Sequence, residues 1–108
     1  MWQAEDQDGI KVVAWQPAIA GAEVRWDELS AAMPTRAVAT VVDIDGIKLI
    51  TSESLAAIVG AVRRVQIGGG KMVFARPSPL VAQIVRSMRL DRLVPLHDSV
   101  AAAVAALR

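Results

Sequence analysis

Between residues 37 and 76 the chain sets one long amphipathic stretch between two short, strongly apolar runs. The first run, Ala37 to Asp45 (AVATVVDID), is β-branched and ends at the turn signal Asp45-Gly46. The stretch from Ser52 to Ile67 repeats Leu55, Ile58, Val59, Val62 and Val65 at helical spacing, with Arg63, Arg64 and Gln66 off that stripe. Gly68-Gly69-Gly70 stops it, because glycine enters the left-handed region at little cost. Lys71 to Arg76 (KMVFAR) is the second run. A strand, a helix and a strand in that order, each strand too apolar to face water, demand a parallel pair covered by helices.

The flanking segments extend the same alternation. Gln3 to Gln7 reads as an edge strand, Asp8-Gly9 as a turn, and Ile10 to Gln16 as a strand ended by Pro17. In that strand Val13 and Trp15 point to one face and Ile10, Val12 and Ala14 to the other, so both faces are covered. Residues 22–33 read as a helix with Val24, Leu29, Ala32 and Met33 inward, Glu23, Arg25, Asp27 and Glu28 outward, and Pro34 closing it. Ser78 caps a helix with Pro79 at its first position, carrying Leu80, Val81, Ile84, Val85 and Met88. Leu93 to Leu96 reads as a short strand, and Asp98-Ser99 caps a final Ala/Val helix to Leu107. The order β-β-α-β-α-β-α-β-α specifies a layered α/β domain with a mixed, mostly parallel sheet and about four helices. With 108 residues, no repeat and no linker, residues 1–108 form a single domain.

Composition narrows the chemistry. Hydrophobic residues are 54% of the chain, so disorder is excluded, and aromatics only 4%, so the core is built from Val, Ile, Leu and Ala. Without cysteine there is neither a disulfide nor a thiolate metal site, which fits a reducing cytoplasmic setting. No apolar run reaches the ~18 residues of a membrane span, and the acidic start, Met1 to Asp8, is unlike a signal peptide. Residues 1–54 hold nine acids against four bases, and residues 55–108 hold eight bases against two acids. That split implies an acidic and a basic face, either two ordinary solvated surfaces or a means of steering a charged protein partner. Nucleic acid is not expected, since the arginines form no lysine-rich run and carry no interleaved aromatics.

Catalytic and metal readings find little support. His97 is the single histidine and falls in a loop after the last strand. Gly68-Gly69-Gly70-Lys71 follows a helix and opens a strand, the reverse of a phosphate loop. Asp43 and Asp45 share a strand face and read as a solvated strand end before a metal pair. Trp2, Trp15 and Trp26 read as packing residues, although an exposed Trp2 or Trp26 would suit an interface. The remaining feature is Thr51-Ser52-Glu53-Ser54-Leu55. Ser and Thr there cap the helix and Glu53 suits its dipole, and a phosphate on a hydroxyl at a helix start is also stabilised.

Taken together, VVDIDGIKLI, TSESLAAIV, AVRRVQIGGG, KMVFARPSP, LVAQIVRSMRLDRLVPL and HDSVAAAVAAL resemble the STAS domain of bacterial anti-sigma-factor antagonists. The likeness is close over residues 38–107 and in outline over 1–37. It rests on the acidic strand end at Asp43, the apolar step Leu49-Ile50, the segment Thr51 to Leu55, the glycines 68–70, Pro77-Ser78-Pro79 and Leu90-Asp91-Arg92-Leu93. The resemblance implies partner switching: an unphosphorylated antagonist binds an anti-sigma factor that is also a serine kinase, and phosphorylation in a D-S-S-G motif releases it. It implies no enzyme activity, no cofactor and no metal. Residue by residue, Thr51 stands at the motif's aspartate, Ser52 at its first serine, Glu53 at the usual acceptor and Ser54 at its glycine. Pro17-Ala18-Ile19-Ala20 stands where many members have a G-x-L-D-like turn, without its acid. The resemblance therefore implies Ser52 as phosphoacceptor, with Ser54 and Thr51 as alternatives. It implies a partner surface of Thr51, Ser52, Glu53, Ser54, Arg63 and Arg64. The competing readings are a constitutive binder fixed by Glu53, and a scaffold or accessory subunit of a stress-signalling or lipid-transport assembly.

Overall fold

A computed structural model describes residues 2–15, 24–34 and 37–108. Five strands form one sheet in the order β1-β2-β3-β4-β5. They are β1 (Trp2–Gln7), β2 (Ile10–Trp15), β3 (Thr40–Asp43), β4 (Met72–Ala75) and β5 (Leu96–His97). β1 and β2 pair antiparallel around Asp8-Gly9, where both residues take positive φ, and every later pairing is parallel. The helices are α1 (Leu29–Ala32), α2 (Ser52–Ile67), α3 (Pro79–Ser87) and α4 (Val100–Leu107).

The sheet is buried on both faces, as the two-sided apolar pattern of β2 predicts. Val13, Val42, Met72 and Phe74 join Leu29, Ile58, Val62, Val65, Val81 and Val85 in the larger core under α2 and α3. Ile10, Val12, Val41, Val73 and Ala75 meet Ala103 and Val104 of α4 on the opposite face. Along α2 the buried line is Ser54, Ile58, Ala61, Val62 and Val65, while Leu55 and Val59 are only half-buried at its rim.

Several expected boundaries move. Instead of a helix over 22–33 there is a 3-10 turn, Trp26–Glu28, followed by the single turn of α1, and residues 22 and 23 lie outside the described set. Gln16, Pro17 and the Pro17–Ala20 turn position also lie outside it. β3 starts at Thr40 rather than Ala37, because Ala37 and Val38 are pressed against the glycine turn after α2. The last strand is Leu96–His97, not Leu93–Leu96. Leu90–Arg92 forms a 3-10 turn, and the Val94 amide bonds the Leu90 carbonyl, burying Val94 in the core. Pro95 has no N–H to offer, so pairing begins with its carbonyl, which accepts from Phe74 at 2.9 Å. His97 is consequently a half-buried strand residue whose carbonyl accepts from the Arg76 amide at 2.9 Å.

The tryptophans pack together. Trp2 lies 5.4 Å from Trp15 and 5.5 Å from Trp26 between ring centres, and Trp2 donates its indole N–H to the Arg25 carbonyl. Trp2 and Trp26 are buried, so neither is the exposed anchor considered from sequence.

Candidate functional site

In a parallel sheet the loops leaving the C-terminal ends of the strands gather along one edge, with the following helices starting there. The β3–α2 loop and the first turn of α2 form such a place. Thr51, with extended backbone, is the N-cap: its Oγ1 accepts from the Ser54 amide at 3.2 Å and its carbonyl accepts from Leu55 at 2.9 Å. Thr51 Oγ1 and Ser54 Oγ share a further hydrogen bond of 3.0 Å.

The three hydroxyls are thus unequal. Ser54 is 6% exposed and bonded to Thr51. Thr51 is exposed but occupied by capping. Ser52, at the first helical position, is exposed beside the exposed Glu53.

Arg63 lies three turns further along α2 on the side of Ser52, about 16 Å away along the axis. Between them the outward residues are small, Ala56 and Gly60, both exposed. Arg64 is also exposed but turns about 100° from Arg63 and lines a different cleft, with Glu5, Asp6, Met33 and Val38. The structure therefore gathers Thr51–Ser54 at one end of α2 and sets Arg63 and Arg64 at the other.

Beside the first turn lies a cleft of about 660 Å³ lined by Trp26, Asp27, Ile47, Lys48, Leu49 and Glu53, among others. Its floor is apolar and its rim charged. Leu49, half of the apolar step seen in sequence, is 58% exposed, whereas Ile50 is buried. Asp27 is held by Arg25 through hydrogen bonds of 3.1 and 3.0 Å, and that bonding lowers the Asp27 carboxyl below its ordinary value and raises the Arg25 guanidinium.

Asp43 is neither a solvated strand end nor half of a metal pair. It is 7% exposed and takes a two-pronged ion pair from Arg76, Nε to Oδ1 at 3.0 Å and Nη2 to Oδ2. The Asp45 amide donates to Asp43 Oδ1 at 3.1 Å, and Arg76 Nη1 stands 3.5 Å from Asp45. Hydrogen bonding to Asp43 raises the Arg76 guanidinium further. This cluster pins the start of the β3–α2 loop, and so the place of Lys48 and Leu49. The available sequence signal was an acid and an arginine ending neighbouring strands, visible only once β3 and β4 are paired.

The glycines after α2 offer nothing to a phosphate. The amides of Gly68, Gly69 and Gly70 donate to Arg64, Gln66 and Val65 carbonyls at 3.3, 2.9 and 2.9 Å. Among the described residues no three His, Cys, Asp or Glu side chains are grouped to hold a metal ion, and no described helix is long and apolar enough to cross a membrane.

Known proteins share this architecture. An anti-sigma-factor antagonist (STAS) domain protein from Planctomyces limnophilus superposes with a TM-score of 0.82 at 16% identity, covering 98% of this chain and 97% of that one. An anti-sigma factor antagonist from Mycobacterium paratuberculosis superposes with a TM-score of 0.69 at 21% identity, covering 100% and 93%. At such identities the likeness is one of fold. Comparison with curated proteins gives no match. The family model described as STAS domain matches residues 2–103, nearly the whole of the described sheet and its helices, and the chain belongs to the STAS domain family.

Proposed function

We propose that this chain is a protein-interaction module of the anti-sigma-factor antagonist kind. Its partner, an anti-sigma factor with serine kinase activity, docks on the α2 start, the Lys48–Leu49 loop and the outward face of α2. The observation that carries this reading is the exposed Ser52 at the head of a sixteen-residue helix, in a chain of the STAS family. Two of the structural neighbours, from Planctomyces limnophilus and Mycobacterium paratuberculosis, are themselves named anti-sigma-factor antagonists.

Accessibility favours Ser52 as the phosphoacceptor. A kinase must reach the hydroxyl, and Ser54 would have to leave its buried bond to Thr51 first. A phosphate on Ser52 would sit at the positive end of α2 and add nearly two negative charges beside Glu53. The free domain tolerates this through the helix dipole, while a partner surface shaped around a hydroxyl and one carboxylate does not.

The test is incubation with a serine kinase of the anti-sigma-factor kind from the same organism. Label on the wild type that is lost in Ser52→Ala, with release of the complex on phosphorylation, supports the switch. A complex that forms but takes no phosphate, and survives Ser52→Ala, replaces it with the constitutive binder or scaffold. The carboxylate already present at Glu53 favours that second reading.

A further inference from the structure

The C-terminal ends of α2 and α3 carry a surface that the candidate site does not use. The two helices cover the same face of the sheet, sharing one core through Ile58, Val62, Val65, Val81 and Val85. Each links two parallel strands, so both run from the edge of the α2 start toward the opposite edge. After α3, a left-handed Arg89 and the 3-10 turn Leu90–Arg92 lead into β5.

Three of the five exposed large apolar side chains among the described residues lie here. Ile67 ends α2 and is 87% exposed, Met88 follows α3, and Leu93 follows the 3-10 turn. Lys71, Arg86, Arg89 and Arg92 stand in the same segments, all exposed, and Arg63, one turn before Ile67, adds a fifth cation where this surface meets the outward face of α2. The acid in these segments is the half-buried Asp91. Among the described residues none of the five cations is in an ion pair. Glu5, Asp6 and Asp8 reach the same edge at the β1 border of the sheet, and there they are balanced: Lys11 stands opposite Asp6, Arg64 shares a cleft with Glu5 and Asp6, and Arg108 pairs with Asp8. The ends of α2 and α3 have no such balance.

Arg89 sharpens the point. It holds φ +57 directly after α3, where glycine fits without cost. Asp8 and Arg76, the other non-glycine residues described with positive φ, commit their side chains to ion pairs. Arg89 bears the same backbone cost with its charge exposed to solvent. The α3 dipole favours a cation at this end, but it accounts neither for Arg92 nor for the apolar tips exposed nearby.

We propose that this end of the domain rests on an anionic lipid surface. The guanidinium groups bind headgroup phosphates through paired N–H donors, and Ile67, Met88 and Leu93 enter the boundary between headgroups and acyl chains. A bilayer fits better than an acidic protein because these apolar tips end or follow helices and line neither of the two clefts. Lipid moulds itself around separate tips, whereas a protein partner has to supply a matching pocket for each. The contact is peripheral, since no described helix is long and apolar enough to cross a membrane. Exposed Asp45, Glu53 and Asp98 lie at the far edge and are repelled by the same surface, so the α2 start faces the water. The inference does not depend on what binds there.

Co-sedimentation of the full chain with vesicles tests this. Binding to mixed phosphatidylglycerol–phosphatidylcholine vesicles is expected, with none to pure phosphatidylcholine and a weakening of about tenfold or more from low to high salt. Arg92→Gln should weaken binding about fivefold, whereas Lys11→Gln, the same loss of charge at the β1 border, should change it by less than about twofold. Ile67→Glu, at a site too exposed to disturb the fold, should weaken it about tenfold or more. Arg89→Gly separates binding from folding: it relieves the left-handed backbone, so the thermal midpoint should rise while vesicle affinity falls about fivefold. No binding to anionic vesicles, equal binding to neutral ones, or indifference to Arg92→Gln and Ile67→Glu would each overturn the proposal. So would tight binding of poly-glutamate that Ile67→Glu leaves unchanged, which would assign the surface to an acidic protein instead.

Discussion

Asp43 and Arg76 meet at the ends of adjacent parallel strands, the carboxylate almost fully buried and the guanidinium half exposed. Arg76 holds this position with φ +57, a conformation that costs a non-glycine residue about 1 kcal/mol or more. The two-pronged pair offsets that cost and fixes where the β3–α2 loop begins. Arg76→Ala should strand the Asp43 carboxylate with only the Asp45 amide, lowering stability by about 2–3 kcal/mol, a figure discounted for the solvent-facing side of the pair. Denaturant unfolding measures this. A double-mutant cycle with Asp43→Asn should give coupling of about 1 kcal/mol or more.

How much of this was legible in the sequence depends on the range of the forces involved. α2 and α3 declare themselves locally, through Thr51, Ser78, Pro79 and an apolar stripe, and they stand where the periodicity puts them. The helix expected over 22–33 shrinks to a 3-10 turn and one helical turn, since Trp26 is drawn into the cluster with Trp2, a contact between distant segments. The Asp43–Arg76 pair likewise joins residues 33 apart and has no local signature. At the candidate site the capping residues were legible, but the burial of Ser54 and the exposure of Leu49 depend on how α2 rolls against the sheet.

The Thr51 cap gives a sharper test. Thr51→Ala removes the acceptor for the Ser54 amide and leaves the buried Ser54 hydroxyl without its partner. A loss of about 1–2 kcal/mol is expected. Thr51→Ser keeps the oxygen and should restore most of it. Equal destabilisation by both substitutions would show that the methyl group, not the hydrogen bonds, matters.

Asp27, on the rim of the cleft, should titrate below the ordinary 3.8 because Arg25 bonds its ionised form. A lowered carboxyl contributes stability that is present above 3.8 and is lost as pH falls through the folded value. The pair lies on the exposed surface, so the readout is the titration itself. Carbon-detected NMR should place the Asp27 midpoint below 3.8 in the wild type and return it toward 3.8 in Arg25→Ala.

Gly70 is confined by the backbone that leads into β3. A Cβ there would run into the Val38 carbonyl oxygen, on the backbone just ahead of β3, and sit 3.1 Å from Val65 Cγ1 on α2. Gly70→Ala should therefore cost about 2 kcal/mol or more despite the ordinary φ of the position. Thermal unfolding checks this, with a fall in midpoint of several degrees expected.

Gly60 is the opposite case, and it separates stability from binding. It lies in the middle of α2 with nothing within 4 Å of a Cβ, on the outward face between Ser52 and Arg63. Arginine is a far better helix former, so Gly60→Arg should stabilise the domain by about 0.5–1 kcal/mol. If the partner docks along this face, the same bulky side chain stands between the two surfaces and binding should weaken at least about tenfold, or 1.4 kcal/mol. Unfolding and partner titration on one variant then give opposite signs, which a general loss of structure could not produce. Gln83→Arg, at an exposed position on α3, serves as the control for added charge and should leave partner affinity nearly unchanged. Undiminished affinity in Gly60→Arg would remove the middle of α2 from the interface and confine docking to the Lys48–Glu53 end.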